Sequence, residues 1–207
     1  MGEIKIKKKT LAFFVVTVFV MFFGVYVFSY NLSEKTSPLK ANSLEGKTLE
    51  ARFNILSNAN SNSCGGTFMF VDSLPEDGRI QGSCCSAMDF HRYSEQIEGL
   101  KKYRYFEIIP KDPYDVPVAH AKQLLEYQKT IVLNEEQQEI YNNAMAISHE
   151  GGPCCCKCWH WYAYEGLAKY LIVEEGFSAE QIAEIWDLSD ACGGKGHVKG
   201  IEWHENE

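Results

Sequence analysis

Gly176-Phe177-Ser178-Ala179-Glu180-Gln181-Ile182 closes one helix and opens another. Glycine just past a helix end is tolerated in the left-handed conformation that stops the helix. Ser178 and Gln181 have the spacing of a capping box, and Phe177 is placed to staple onto Ile182. So short a link makes an antiparallel helix pair. The first helix of the pair follows a dense run of cysteines, and the second ends near Cys192.

Working outward, the chain reads as mainly α. Phe90, Tyr93, Ile97 and Leu100 recur at helical spacing, which predicts a helix over about 86–103. Pro110, Pro113 and Pro117 mark an extended connection. Asp115 then caps a helix to about Lys129, with Pro117 in its first turn. Asn134 caps the next, whose buried stripe is Ile140, Tyr141, Ala144 and Ile147, and Gly151 and Gly152 stop it. Two short apolar runs, Ala51–Leu56 and Thr67–Val71, read as strands that pair in a minor β-hairpin.

The eight cysteines are Cys64, Cys84, Cys85, Cys154, Cys155, Cys156, Cys158 and Cys192. Eight in 207 residues is sparse for a disulfide scaffold, where cysteine exceeds about 8–10%. Adjacent cysteines also make poor staples, because a bridge between them closes almost no loop. The stretch Gly151-Gly152-Pro153-Cys154-Cys155-Cys156-Lys157-Cys158-Trp159 offers C-x-C twice and C-x-x-C once. With Pro153 in a first helical turn, Cys154 and Cys158 share a face, and the helix dipole favours their thiolates. Thiolates are ligands for Cu(I) and Zn(II), and the spacing is unlike the paired arms of a zinc ribbon.

A second group is Cys84-Cys85-Ser86-Ala87-Met88-Asp89-Phe90-His91. If a helix begins there, Cys84, Met88 and His91 lie on one face as soft or borderline donors. The competing reading is a core methionine and a solvent-facing histidine. Cys192 and His197, in the Gly-rich segment after the last helix, are candidates to fold back and complete the dense cluster. The candidate ligands are therefore Cys154, Cys155, Cys156, Cys158, Cys192, His197, Cys84, Cys85, Met88 and His91. Trp159, Trp161, Tyr162 and Tyr164 read as core contacts that also shield thiols. His160 and His204 read as incidental.

Pro153, Cys154, Cys156 and Cys158 resemble a family of exported bacterial proteins named for a Pro-Cys-Tyr-Cys-Gly-Cys motif, whose function is uncharacterised. Cys155 stands where that motif has Tyr, and Lys157 where it has Gly. A helix before the motif and a Gly-Phe-Ser-started helix after it are similar too. The family's later C-x-x-C is represented only by Cys192. The resemblance spans about the last third of the chain and implies an extracytoplasmic thiol site for metal.

Thr10–Tyr30 is uncharged and apolar. Twenty-one such residues in a helix span about 30 Å, the thickness of a bilayer core. Lys5, Lys7, Lys8 and Lys9 precede it, so the positive-inside bias puts the N-terminus in the cytoplasm and the remainder outside. A cleaved signal peptide is the alternative, but its core is usually only about 7–15 residues. The implied layout is a basic tail (1–9), a single transmembrane helix (10–30), a stalk (31–63) and a cysteine-rich helical domain (64–207). The net charge is −8, concentrated as acid beyond the anchor, which disfavours nucleic acid.

Three functions compete. One is a membrane-tethered carrier, sensor or sequestering module for Cu(I) or Zn(II), whose partners are the membrane, the ion, and a membrane metal transporter or other partner protein. Another is a thiol-disulfide oxidoreductase using Cys155 and Cys158, for which no alternating strand-helix pattern is present. The third is a disulfide-stabilised structural or interaction domain in which Cys64 pairs with a distant partner. No hydrolase motif is present.

Overall fold

Side-chain caps set most of the helix starts. In the computed structural model Thr48 Oγ1 accepts from the Ala51 N–H at 3.2 Å, opening α1 (Leu49–Leu56). The short α2 (Phe68–Asp72) follows. Asp89 accepts from the Arg92 N–H at 3.1 Å and opens α3 (Phe90–Leu100), which tightens into a 3-10 turn over Lys101–Tyr103. Helix α4 (Val118–Thr130) leads to α5 (Glu135–Ile147), which Asn134 and Gln137 open as a capping box. Helix α6 (Trp159–Glu174) ends at Gly176, whose φ of +66° permits the stop. The expected capping box of Ser178 and Gln181 then opens α7 (Ala179–Ser189).

The structure describes residues 44, 46–65 and 67–194. The apolar 10–30 segment and His197 lie outside them. Among the described residues, no helix is long and apolar enough to cross a membrane.

Sheet content is two three-residue strands, β1 (Arg79–Gln81) and β2 (Asp115–Pro117), antiparallel with Ile80 opposite Val116. This corrects two expectations. Ala51–Leu56 and Thr67–Val71 are not strands but lie within α1 and α2. Asp115 does not cap a helix. It sits in β2, accepts from Arg79 Nε at 2.5 Å, and leaves Pro117 at the start of α4. The fixed φ of proline suits that position without any side-chain cap. The compact unit also begins at Leu44. Residues 44–63, read as stalk, thus supply Leu44, Leu56 and Asn62 to the interior.

Helices α4 and α6 pack against each other, as do α5 and α7, while α3 lies against α7. Trp159, Trp186, Tyr164, Leu124, Leu167, Leu171 and Ile182 fill the main core. Each large apolar side chain removed from water contributes about 1.5–3 kcal/mol. Gly166 is what lets α4 and α6 approach: a Cβ there would lie 1.9 Å from the Leu124 carbonyl oxygen. The turn between α6 and α7 is held as Phe177 stacks edge-on against Phe106, with ring centroids 5.0 Å apart. A smaller apolar cluster joins Leu44, Leu56, Tyr93, Tyr114 and Ala191. Together these contacts fix the start of α6, the end of α7 and the segment before α3 around one place.

Candidate metal centre

Four separate segments deliver the thiols. Cys154, Cys155 and Cys156 lie in the loop between α5 and α6, and Cys158 is the residue that begins α6. The helix therefore starts later than the sequence suggests. Pro153 is not in a first helical turn, and Cys154 and Cys158 share no helical face. What α6 supplies is its N-terminus: after the thiols of Cys154 and Cys84, which lower Cys158 most, the Trp161 N–H lowers it a little further.

Cys84 and Cys85 also precede their helix, since α3 opens only at Phe90. Their segment instead runs beside the chain leaving α7. The Cys84 N–H donates to the Ala191 carbonyl at 3.0 Å, Ser86 N–H to Cys192 at 2.9 Å, and Gly194 N–H to Ala87 at 2.8 Å. A Cβ on Gly193, whose φ is +75°, would meet the Ser86 carbonyl oxygen at 2.3 Å. Those glycines are what allow the two backbones to close and bring Cys192 onto the dense cluster.

The sulfurs form one connected group. Cys192 Sγ lies 3.1 Å from Cys154 Sγ, 3.0 Å from Cys155 Sγ and 3.8 Å from Cys84 Sγ. Cys64 Sγ is 3.1 Å from Cys156 Sγ, and Cys85 Sγ is 3.9 Å from it. Cys84, Cys154 and Cys158 have sulfurs within 4.8 Å of one another, and so do Cys85, Cys155, Cys156 and Cys192. A tetrahedral thiolate site with bonds of about 2.3 Å has sulfurs about 3.8 Å apart. The eight cysteines thus cluster within metal-binding distance as free thiols.

Cys64 was missed as a ligand candidate because it stands alone in a polar segment. The signal for it was the distribution: six of the other seven cysteines lie in two clusters, and only Cys192 stands alone as Cys64 does. Asn62 ties this segment down, accepting from Trp159 Nε1 at 2.9 Å and donating to the Gly82 carbonyl at 3.0 Å.

Met88 and His91 do not join the sulfurs along a helical face. Met88 packs with the small apolar cluster and bridges Gly194 through its backbone. His91 Nε2 is 3.0 Å from a Glu95 carboxylate oxygen. The reason is the late start of α3, which leaves Cys84 and Met88 on non-helical chain before it. His160, read as incidental, is fully buried beside the site and stacks on Tyr164 at 4.1 Å. Burial lowers its pKa, so it stays neutral.

Protons are unevenly shared among the thiols. Cys158 is held far below the ordinary thiol range, first by the thiol of Cys154 and then by that of Cys84. The same two neighbours lower Cys192. Cys154 is pushed up because it donates to Cys158 and Cys192. Burial, aided by Cys64, raises Cys85 to about 12. Burial, aided by Cys192, raises Cys155 to about 11. Within the cluster, Cys158 and Cys192 are therefore the thiols most inclined to the thiolate form.

Beneath Cys192 lies a buried polar support. Asp190 Oδ1 accepts from the Cys192 N–H at 3.0 Å, and Oδ2 pairs with Arg92 at 2.5 Å. Arg92 also donates to the Gly193 carbonyl at 3.2 Å, and Gln96 to that of Asp190 at 2.7 Å. Helix α3 thus holds the turn that carries Cys192.

Fold and site together define a mainly helical domain built around a contiguous thiol cluster suited to a metal ion. No family model, curated protein or solved structure matches the chain.

Proposed function

We propose that this protein is a membrane-tethered, extracytoplasmic binder of a thiophilic ion, with Cu(I) as the preferred ion. The observation that carries the reading is the convergence of eight free thiols from four segments into one sulfur cluster. An all-sulfur donor set selects soft ions, and Cu(I) accepts the two- and three-thiolate coordination that such a cluster offers at many points. Zn(II) is the second ion the donors suit, in four-thiolate sites. The resemblance around Pro153–Cys158 and the apolar 10–30 segment support an exported, anchored protein that carries or sequesters its ion beside the membrane. A membrane metal transporter is the kind of partner such a module would serve.

The cluster's own chemistry argues against thiol-disulfide exchange through Cys155 and Cys158. An attacking cysteine must be both accessible and a thiolate. Here burial pushes the exposed member, Cys155, up to about 11 and away from the thiolate form, while Cys158, whose thiol is lowered, is only 1% exposed.

The test is metal uptake by the full chain, purified without oxygen in detergent and offered Cu(I), Zn(II) or Hg(II) separately. After gel filtration, elemental analysis should find metal on the wild type and little on a variant with all eight cysteines replaced by serine. Equal metal on both proteins rejects the reading.

A further inference from the structure

We propose that the cluster holds at least two ions in unlike environments, joined through the Cys192 sulfur, the inner one retained and the outer one exchangeable. This rests on the metal-binding reading and specifies how the thiols divide.

The division follows from burial. Cys154 and Cys158 are 0% and 1% exposed, and with Cys84 they form the inner group. Cys85 and Cys155 are solvent-exposed, and with Cys156 and Cys192 they form the outer group. Cys64 lies against Cys156 and so extends the outer group. One ion reaches at most four sulfurs at bonding distance in a tetrahedral site. Eight thiols in two such groups exceed what one ion uses. Cys192 is the natural bridge: it is 3.1 Å from Cys154 on the inner side and 3.0 Å from Cys155 on the outer side. A thiolate has lone pairs for two metal ions.

Surroundings then separate the two positions. The inner sulfurs sit at the N-terminus of α6 beside Trp159 and His160, both fully buried. Two of the three inner thiols, Cys154 and Cys158, are out of reach of water and of a competing chelator, and Cys84 is partly exposed. Two of the outer sulfurs, those of Cys85 and Cys155, face solvent, where an incoming thiol can attack an ion and displace one protein ligand at a time. Each protein thiol that binds releases its proton to water, and each that is displaced takes one back, so no oxidant or reductant is consumed. The outer position is thus the place where an ion is received and handed on.

The experiment is an anaerobic titration of the full chain in detergent with Cu(I), read by native mass spectrometry, followed by challenge with a soluble Cu(I) chelator. Two or more bound ions leaving in two phases, fast then slow, is the expected result. The double variant Cys85→Ser/Cys155→Ser alters only exposed positions and should lose the fast phase while keeping the slow one. A wild-type maximum of one ion, or removal of all ions in a single phase, overturns the proposal while leaving the metal-binding reading in place. Loss of both phases in the double variant also overturns it, provided its circular dichroism matches wild type. Absence of any bound ion overturns the metal-binding reading itself.

Discussion

Arg92 shows how much of the site depends on residues that never touch a metal. Its guanidinium is the charged partner of Asp190, and both side chains are mostly withdrawn from water, at 14% and 4% exposure. Burial and the nearby Cys192 thiolate raise the Asp190 carboxyl to about 7 even with Arg92 opposing them. Removing the cation leaves a buried carboxylate uncompensated, which costs about 3–5 kcal/mol. Arg92→Met should therefore destabilise the reduced, metal-free protein by about 3 kcal/mol in denaturant unfolding. It should also weaken metal retention, because Arg92 holds the Gly193 carbonyl next to Cys192. Adding Asp190→Asn removes the orphaned charge, so the double variant should regain part of the stability. A strictly additive loss would show that the two side chains do not act as a pair. Neither residue stood out in the sequence. A charged pair formed across 98 residues has no local pattern, and only folding brings it together.

At the level of elements, the close approach of α4 and α6 is the most demanding feature. Gly166 lies under the Leu124 carbonyl and the Gln128 backbone, both too near for a methyl group. Gly166→Ala should separate the helices and cost about 2–3 kcal/mol as an overpacking change, seen as a lowered unfolding midpoint. An unchanged midpoint would mean that the interface is softer than the described contacts. Elements with explicit local signals were legible: Asn134 and Ser178 announce α5 and α7 through capping boxes that form as expected. The elements misread were short. Residues 51–56 and 67–71 carry too few turns of periodicity to separate strand from helix. Their state is decided by Thr48 as a cap and by packing of Leu56 and Val71. The late starts of α3 and α6 were hidden for a related reason. Cysteine, serine and glycine give weak preferences, so the boundary falls where Asp89 caps α3 and where the extended Cys158 ends the loop. The metal ligands were read as helical for want of that boundary, and Met88 and His91 entered the candidate set with them.

For the whole molecule, the division of thiols into inner and outer groups makes metal binding depend on pH in a definite direction. Metal binds thiolates, so a thiol that is protonated in the free protein must lose its proton first. Cys85 and Cys155, raised to about 12 and about 11, are protonated throughout the physiological range. Cys156 is raised as well, by burial and by Cys64. Below its pKa, each such ligand weakens binding by about tenfold per pH unit. Three of them make outer-site affinity fall by up to about a thousandfold for each unit of acidification. Cys158 and Cys192 are lowered instead, by the thiols of Cys154 and Cys84, and so give up their protons most readily. The inner ion shares those two, and its other ligands, Cys84 and Cys154, are both raised, so it has two such protons to displace where the outer ion has three. Acidification from pH 7.5 should accordingly release the outer ion first, with the inner ion leaving only at lower pH. Elemental analysis of protein desalted at a series of pH values measures this directly. Two separated steps, with the upper step absent in Cys85→Ser/Cys155→Ser, is the expected profile. A single step shared by all ions would mean that the thiols titrate as one pool, and that burial does not divide the cluster.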